Sequence, residues 1–107
     1  MAHVVKPETL QWEQTKIQGF SSKQLVEMPN GGLKLIKVEP ASSYPLHHHP
    51  DKTEYIYVLE GNPEIVIGDD THQGNEGEFF ILPQAVSHAI INKSDKACKL
   101  LIGAIKM

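Results

Sequence analysis

Apolar residues in this chain come in runs of four to eight, set between turn-forming residues, and no stretch of a dozen keeps a helical period. That pattern predicts strands. Alternation and β-branched or aromatic content place them at Gln24–Met28, Leu33–Glu39, Glu54–Glu60, Glu64–Ile67, Glu78–Leu82, Ser87–Asn92 and Lys99–Ile105. Residues that tolerate positive φ or reverse the chain lie between them: Pro29-Asn30-Gly31-Gly32, Glu60-Gly61-Asn62-Pro63, Gly68-Asp69-Asp70 and Gly74-Asn75-Glu76-Gly77. Many short strands at such spacing predict an all-β fold, a sandwich or jelly-roll β-barrel, preceded by a short N-terminal extension. In that extension Trp12, Ile17 and Phe20 stand out as large apolar groups, expected to cover the barrel or a partner subunit of a homodimer.

Length bounds the reading to one domain, residues 1–107. With 40% hydrophobic and 21% charged residues the chain is expected to pack as a globule. The net charge of -3 arises from 13 acidic side chains and 10 basic ones, all of them lysine. Without arginine the chain lacks the usual bidentate reader of guanine and clamp for phosphate, and its lysines are scattered from Lys6 to Lys106. Nucleic acid is excluded as a partner on this reading. No apolar run has the length of a signal peptide or a membrane span, so a cytoplasmic protein with no membrane partner is expected. The lone Cys98 allows no internal disulfide and reads as a structural thiol at a strand start.

Chemistry concentrates in His47-His48-His49-Pro50-Asp51-Lys52-Thr53-Glu54 and in the later His88. In an extended segment His47 and His49 project to one face while His48 points away. Glu54 and His88 complete a mixed nitrogen and oxygen set without sulfur, which suits one divalent first-row metal ion: Fe, Mn, Ni, Cu or Zn. His3, His48 and His72 read as solvated, as do Asp69, Asp70, Glu76 and Glu78. Ser87 faces away from its neighbour His88, so no serine triad forms. Tyr44, Tyr55 and Tyr57 read as packing groups, with a phenol beside the metal as the alternative.

These residues resemble the cupin superfamily, and in particular its small single-domain members. His47, His49, Glu54 and Gly61 stand at the positions of the family's first motif, within residues 41–61, and Gly77, Pro83, His88 and Asn92 at those of its second, within 77–92. Two glycines of the family pattern are replaced by Ala41 and Ala85, which predicts altered loop geometry there, since alanine disfavours positive φ. The resemblance implies a jelly-roll barrel, with His47, His49, Glu54 and His88 as metal ligands. Strand alternation adds Ile56 and Val58 as an apolar surround for the ion and leaves Asn92 as either a cavity group or a strand-end residue.

Three imidazoles and one carboxylate leave coordination positions open for a small-molecule substrate. The resemblance therefore implies a metal-dependent oxidoreductase, a dioxygenase acting on a small chelating organic substrate, with Glu54 doubling as a catalytic base if it swings free. The alternatives are a non-redox isomerase or decarboxylase, ranked lower because no arginine is available for an anion, and a non-catalytic ligand- or sugar-binding module.

Overall fold

Strands form where the β-branched runs lie, and the computed structural model describes residues 3–107. The first two residues of the N-terminal extension lie outside this description. Among the described residues are ten strands and no α-helix: β1 (Glu13–Gln14), β2 (Phe20–Met28), β3 (Gly31–Val38), β4 (Ser42–His47), β5 (Lys52–Glu60), β6 (Glu64–Ile67), β7 (Asp70–Gln73), β8 (Phe79–Leu82), β9 (His88–Asn92) and β10 (Cys98–Lys106). A single 3-10 turn, Pro7–Thr9, precedes them. Every pairing is antiparallel, in a six-stranded sheet ordered β1-β2-β3-β10-β5-β8 and a four-stranded sheet ordered β4-β9-β6-β7.

The core is the set of inward residues that the alternation predicts. Ile36 and Val38 of β3, Ile56 and Val58 of β5, Ile65 of β6, Ile90 of β9, and Leu100 and Ile102 of β10 are all buried between the sheets. Truncating any fully buried member to alanine would cost about 2–5 kcal/mol, because the cavity left behind adds to the lost transfer energy. Cys98 belongs to this core and is wholly covered, and burial pushes its thiol pKa up, as befits a structural thiol.

Three strands escaped the hydrophobic pattern, each for a physical reason. β7 contains no apolar residue and is exposed along its length, so an edge strand of this kind leaves no signal of period two. β1 is only two residues long. In β4 the alternation breaks at Pro45 and Leu46, both exposed, where the pairing with β9 shifts from Tyr44↔Ile90 to His47↔His88. β4 thus advances three residues while β9 moves two, the signature of a bulge with one extra residue. Three residues after an inward Tyr44, His47 would otherwise face solvent. The bulge turns it inward.

The expectation of altered loop geometry at the two missing glycines is corrected. Ala41 and Ala85 both adopt the left-handed conformation, with φ of 58° and 64°, as glycines there would. At Ala85 the surrounding structure imposes it: the Ala85 N–H donates to the His49 carbonyl at 2.8 Å, within a turn where the Val86 N–H donates to the Pro83 carbonyl. The backbone shape survives the loss of glycine at a cost in strain. Ala41→Gly and Ala85→Gly are each expected to raise stability by up to about 1 kcal/mol, the relief of left-handed strain exceeding the added chain entropy. Chemical denaturation midpoints of the two variants check this.

Candidate metal centre

Both sheets contribute to the cluster of predicted ligands. Glu54 lies on β5, facing Leu82 of β8 and Ala104 of β10 across the six-stranded sheet, while His47 and His88 sit opposite each other on β4 and β9 of the other sheet. His49 lies two residues past the end of β4, outside any strand. It is held by the turn that precedes β9. Besides the Ala85 bond to its carbonyl, the Gln84 side chain donates to the Pro50 carbonyl at 2.5 Å and the Gln84 N–H donates to Thr53 Oγ1 at 3.2 Å.

One potential ligand atom from each of His47, His49, Glu54 and His88 lies within 4.8 Å of the others. A single carboxylate oxygen, Glu54 Oε1, is 3.2 Å from His49 Nε2 and 3.3 Å from His88 Nε2, and the rings of His47 and His88 are 4.2 Å apart. Two imidazole nitrogens on one carboxylate oxygen require a proton or a cation between them, since bare lone pairs would repel. His47 Nδ1 donates to the Pro45 carbonyl at 2.7 Å, which leaves Nε2 as the lone-pair atom. A backbone carbonyl that fixes the tautomer in this way is the usual outer support of a metal-binding histidine. His88 Nδ1 has a longer contact, 3.4 Å, with the Val86 carbonyl. The donor set fits one divalent ion of borderline hardness.

Burial lowers the pKa of His47, offset in part by the Pro45 bond, and burial likewise lowers that of His49. For Glu54 burial acts upward, but the hydrogen bond from His88 and the Lys52 ammonium outweigh it and hold the carboxyl below its ordinary range. All three shifts favour the forms that bind metal, neutral imidazole and carboxylate.

The cluster opens into a cavity of about 220 Å³. Its apolar wall is Ile17, Phe20, Ile36, Leu82, Ile90 and Ile102. Ile56 and Val58 face inward as predicted but are covered completely by the packed sheets, so the expectation that they surround the ion is corrected. Phe20 and Ile17 turn into the barrel rather than toward a partner, and Trp12 carries Lys23 Nζ 4.7 Å and Lys37 Nζ 5.1 Å from its ring centroid. Of the tyrosines Tyr44 alone joins the cavity, with its ring 4.3 Å from that of His47. His3, His48 and His72 are exposed. Asn92 is a strand-end residue with no exposed surface: its amide donates to the carbonyls of Val38, Glu39 and Lys96 and accepts from Ser94. Among the cavity residues missed are two strand lysines, Lys34 and Lys52, besides Thr15 and Lys16 of the N-terminal extension. Each strand lysine stands in inward alternation, with Ile36 or with Glu54, and that parity was the available signal.

Residues 34–103, well over half of the chain, match the cupin domain family. The chain belongs to the cupin family. Protein SchB of Streptomyces halstedii is 28% identical over 72 residues, covering 67% of this chain and 52% of SchB, so the chain spans about half the length of that relative. Among solved structures, the polyketide cyclase RemF of Streptomyces resistomycificus aligns with a TM-score of 0.86 at 25% identity over 98% of this cupin and 80% of RemF. A Thermotoga maritima protein described as a predicted oxalate decarboxylase aligns with a TM-score of 0.89 at 20% identity, covering 97% and 99%, a likeness of fold. No helix of the cupin is long and apolar enough to cross a membrane.

The lowered imidazole values fix the sign of an acid response. His47 and His49 stay neutral in the folded, metal-free cupin where the unfolded chain already binds protons below the ordinary value of 6.5. Their contribution to stability is therefore complete above that pH and lost as pH falls through the folded values. Thermal unfolding of chelator-treated protein from pH 7.5 to 5 is expected to show a falling midpoint. The fall should be shallower in His47→Gln.

Proposed function

We propose that this cupin is a metal-dependent enzyme in which His47, His49, Glu54 and His88 hold one divalent ion and a small chelating organic substrate enters the apolar cavity beside it. The observation that carries this reading is the convergence of four ligand atoms within 4.8 Å at the wall of a 220 Å³ cavity. The ion, whether Fe, Mn, Ni, Cu or Zn, would supply Lewis acidity and, if redox-active, a site for dioxygen. We favour a dioxygenase, in which both atoms of O₂ enter the organic product and no external reductant is needed. The protein's part is to orient a 1,3-dicarbonyl or catechol-like substrate and to exclude water through Ile36, Leu82, Ile90 and Ile102. Glu54 holds the ion and doubles as a base only by swinging free of it, since Lys52 Nζ, 3.8 Å from its Oε2, stabilises the carboxylate.

A second reading, enolate chemistry without redox change, as in a cyclase, isomerase or decarboxylase, is supported by the likeness to a polyketide cyclase. It is no longer weakened by the lack of arginine, because Lys34 and Lys52 line the cavity. A cytoplasmic setting goes with either reading, given a single buried thiol and no candidate for a disulfide. So does a homodimer. The outer face of the six-stranded sheet carries two cross-strand rows, Leu35-Leu101-Tyr57-Phe79 and Leu33-Gly103-Tyr55-Ile81, in which Tyr57, Phe79 and Ile81 are exposed. A second copy of the same face would cover such a surface.

Two measurements test these readings. The Fe(II), Mn(II), Ni(II) and Cu(II) forms, offered a 1,3-diketone or a flavonol in an oxygen electrode, are expected to consume one O₂ per substrate, and His88→Ala is expected to abolish the uptake. Turnover without O₂ uptake selects the enolate reading, and no turnover with any form leaves a binding module. By light scattering coupled to gel filtration the wild type is expected to run as a dimer and Phe79→Lys as a monomer; a monomeric wild type removes the dimer.

A further inference from the structure

Lys34 breaks the inward pattern of β3. On that strand Ile36 and Val38 face the core, and Lys34 shares their parity, in a cross-strand row with Ile102 and Ile56. The partner of Lys34 on the other side of that row is the exposed Gln24 of β2, so the lysine is half-buried at the margin between the aliphatic core and a polar rim. An ammonium partly withdrawn from water there needs a reason. Among the described residues Lys34 has no carboxylate within 4 Å and no side-chain hydrogen bond, whereas Lys52, on the other side of Glu54, is 3.8 Å from Glu54 Oε2. Its position is at a junction. Beside the 220 Å³ cavity lies a second one of about 170 Å³, bordered by Gly32, Ala104, Glu27 and Lys106, and the two share Lys34, Lys52, Glu54 and Ile102. The shared wall thus carries two ammonium groups against one carboxylate. With Glu54 Oε1 turned to the histidines, that carboxylate is already committed to the cluster.

We propose that Lys34 determines specificity by receiving a carboxylate of the substrate, so that the substrate class is an organic acid with a chelating pair of oxygens at its other end. The proposal rests on the metal-centre reading above, since the chelating end needs the ion. The chelating oxygens reach the His47, His49, Glu54 and His88 cluster while the acid arm lies at the junction of the two cavities. A charge-assisted hydrogen bond inside a partly dry wall is strong enough to dominate selection between otherwise similar molecules.

The test uses the zinc-loaded protein, which is redox-silent, and two probes with the same chelating head, 4-methylcatechol and 3,4-dihydroxybenzoate. By titration calorimetry the wild type is expected to bind the dihydroxybenzoate at least about tenfold more tightly, the scale of one charge-assisted contact. Lys34→Met is expected to lose that preference while keeping its affinity for methylcatechol and one zinc per chain, and Lys34→Arg to keep the preference. Equal affinities in the wild type, or an undiminished preference in Lys34→Met, overturn the assignment of Lys34 alone. Failure of the wild type to take up zinc overturns the metal-centre reading itself, and the proposal with it.

Discussion

The contact between the Glu54 carboxylate and the His88 imidazole is the point on which this molecule turns. It joins the two sheets at a place where neither side chain has water enough to satisfy it: the side chain of His88 is 4% exposed and that of Glu54 is 14% exposed. Polar groups so placed must be partnered, and here the partners come from opposite layers of the fold. The sheet packing that builds the core therefore also sets the spacing of the cluster. His47 enters through the β4 bulge and His49 through the turn at Gln84-Ala85, so both later additions are backbone devices arranged around one buried pair.

Much of this was legible in the sequence because the site and the core obey the same period. Glu54, Ile56 and Val58 alternate inward on β5, while His47 and His49 were read from their own two-residue spacing and the full set of four from the resemblance to the cupin motifs. What was not legible depended on backbone detail. The bulge at Pro45-Leu46 reverses the parity of β4, and no side-chain pattern announces it. The left-handed Ala41 and Ala85 could not be foreseen, since the residue type argues for the opposite conformation, and at Ala85 it is the surrounding hydrogen bonds that decide. Lys34 is a different kind of omission. Its parity with Ile36 was plain, but a lysine in a strand is ordinarily assigned to solvent.

The fold divides its two faces by chemistry. Inside the barrel, the charged groups and imidazoles gather at one end, where Lys34, Lys52, Glu54, His47, His49 and His88 meet, while the remainder of the interior is mainly apolar, with Asn92 as its buried polar exception. Outside, the six-stranded sheet is apolar across β3, β10, β5 and β8, and Gly103 is bare because a Cβ there would sit 2.3 Å from the Tyr55 ring. An aromatic laid over a strand glycine keeps that face flat without leaving a hole in it.

The separation of His88 from Glu54 along the chain has a consequence for the order of events during synthesis. His47, His49 and Glu54 fall within a span of eight residues, but the fourth member of the cluster, His88, arrives only after β6, β7 and β8 have been made. The Asn92 amide, at the other end of β9 from His88, reaches the Val38 carbonyl 54 residues away. Loops of that size must close before the four-residue cluster exists. A cation bound by all four side chains would therefore favour the finished barrel, the only state in which the set is complete, acting as a latch on the last closure and drawing the equilibrium toward it by mass action.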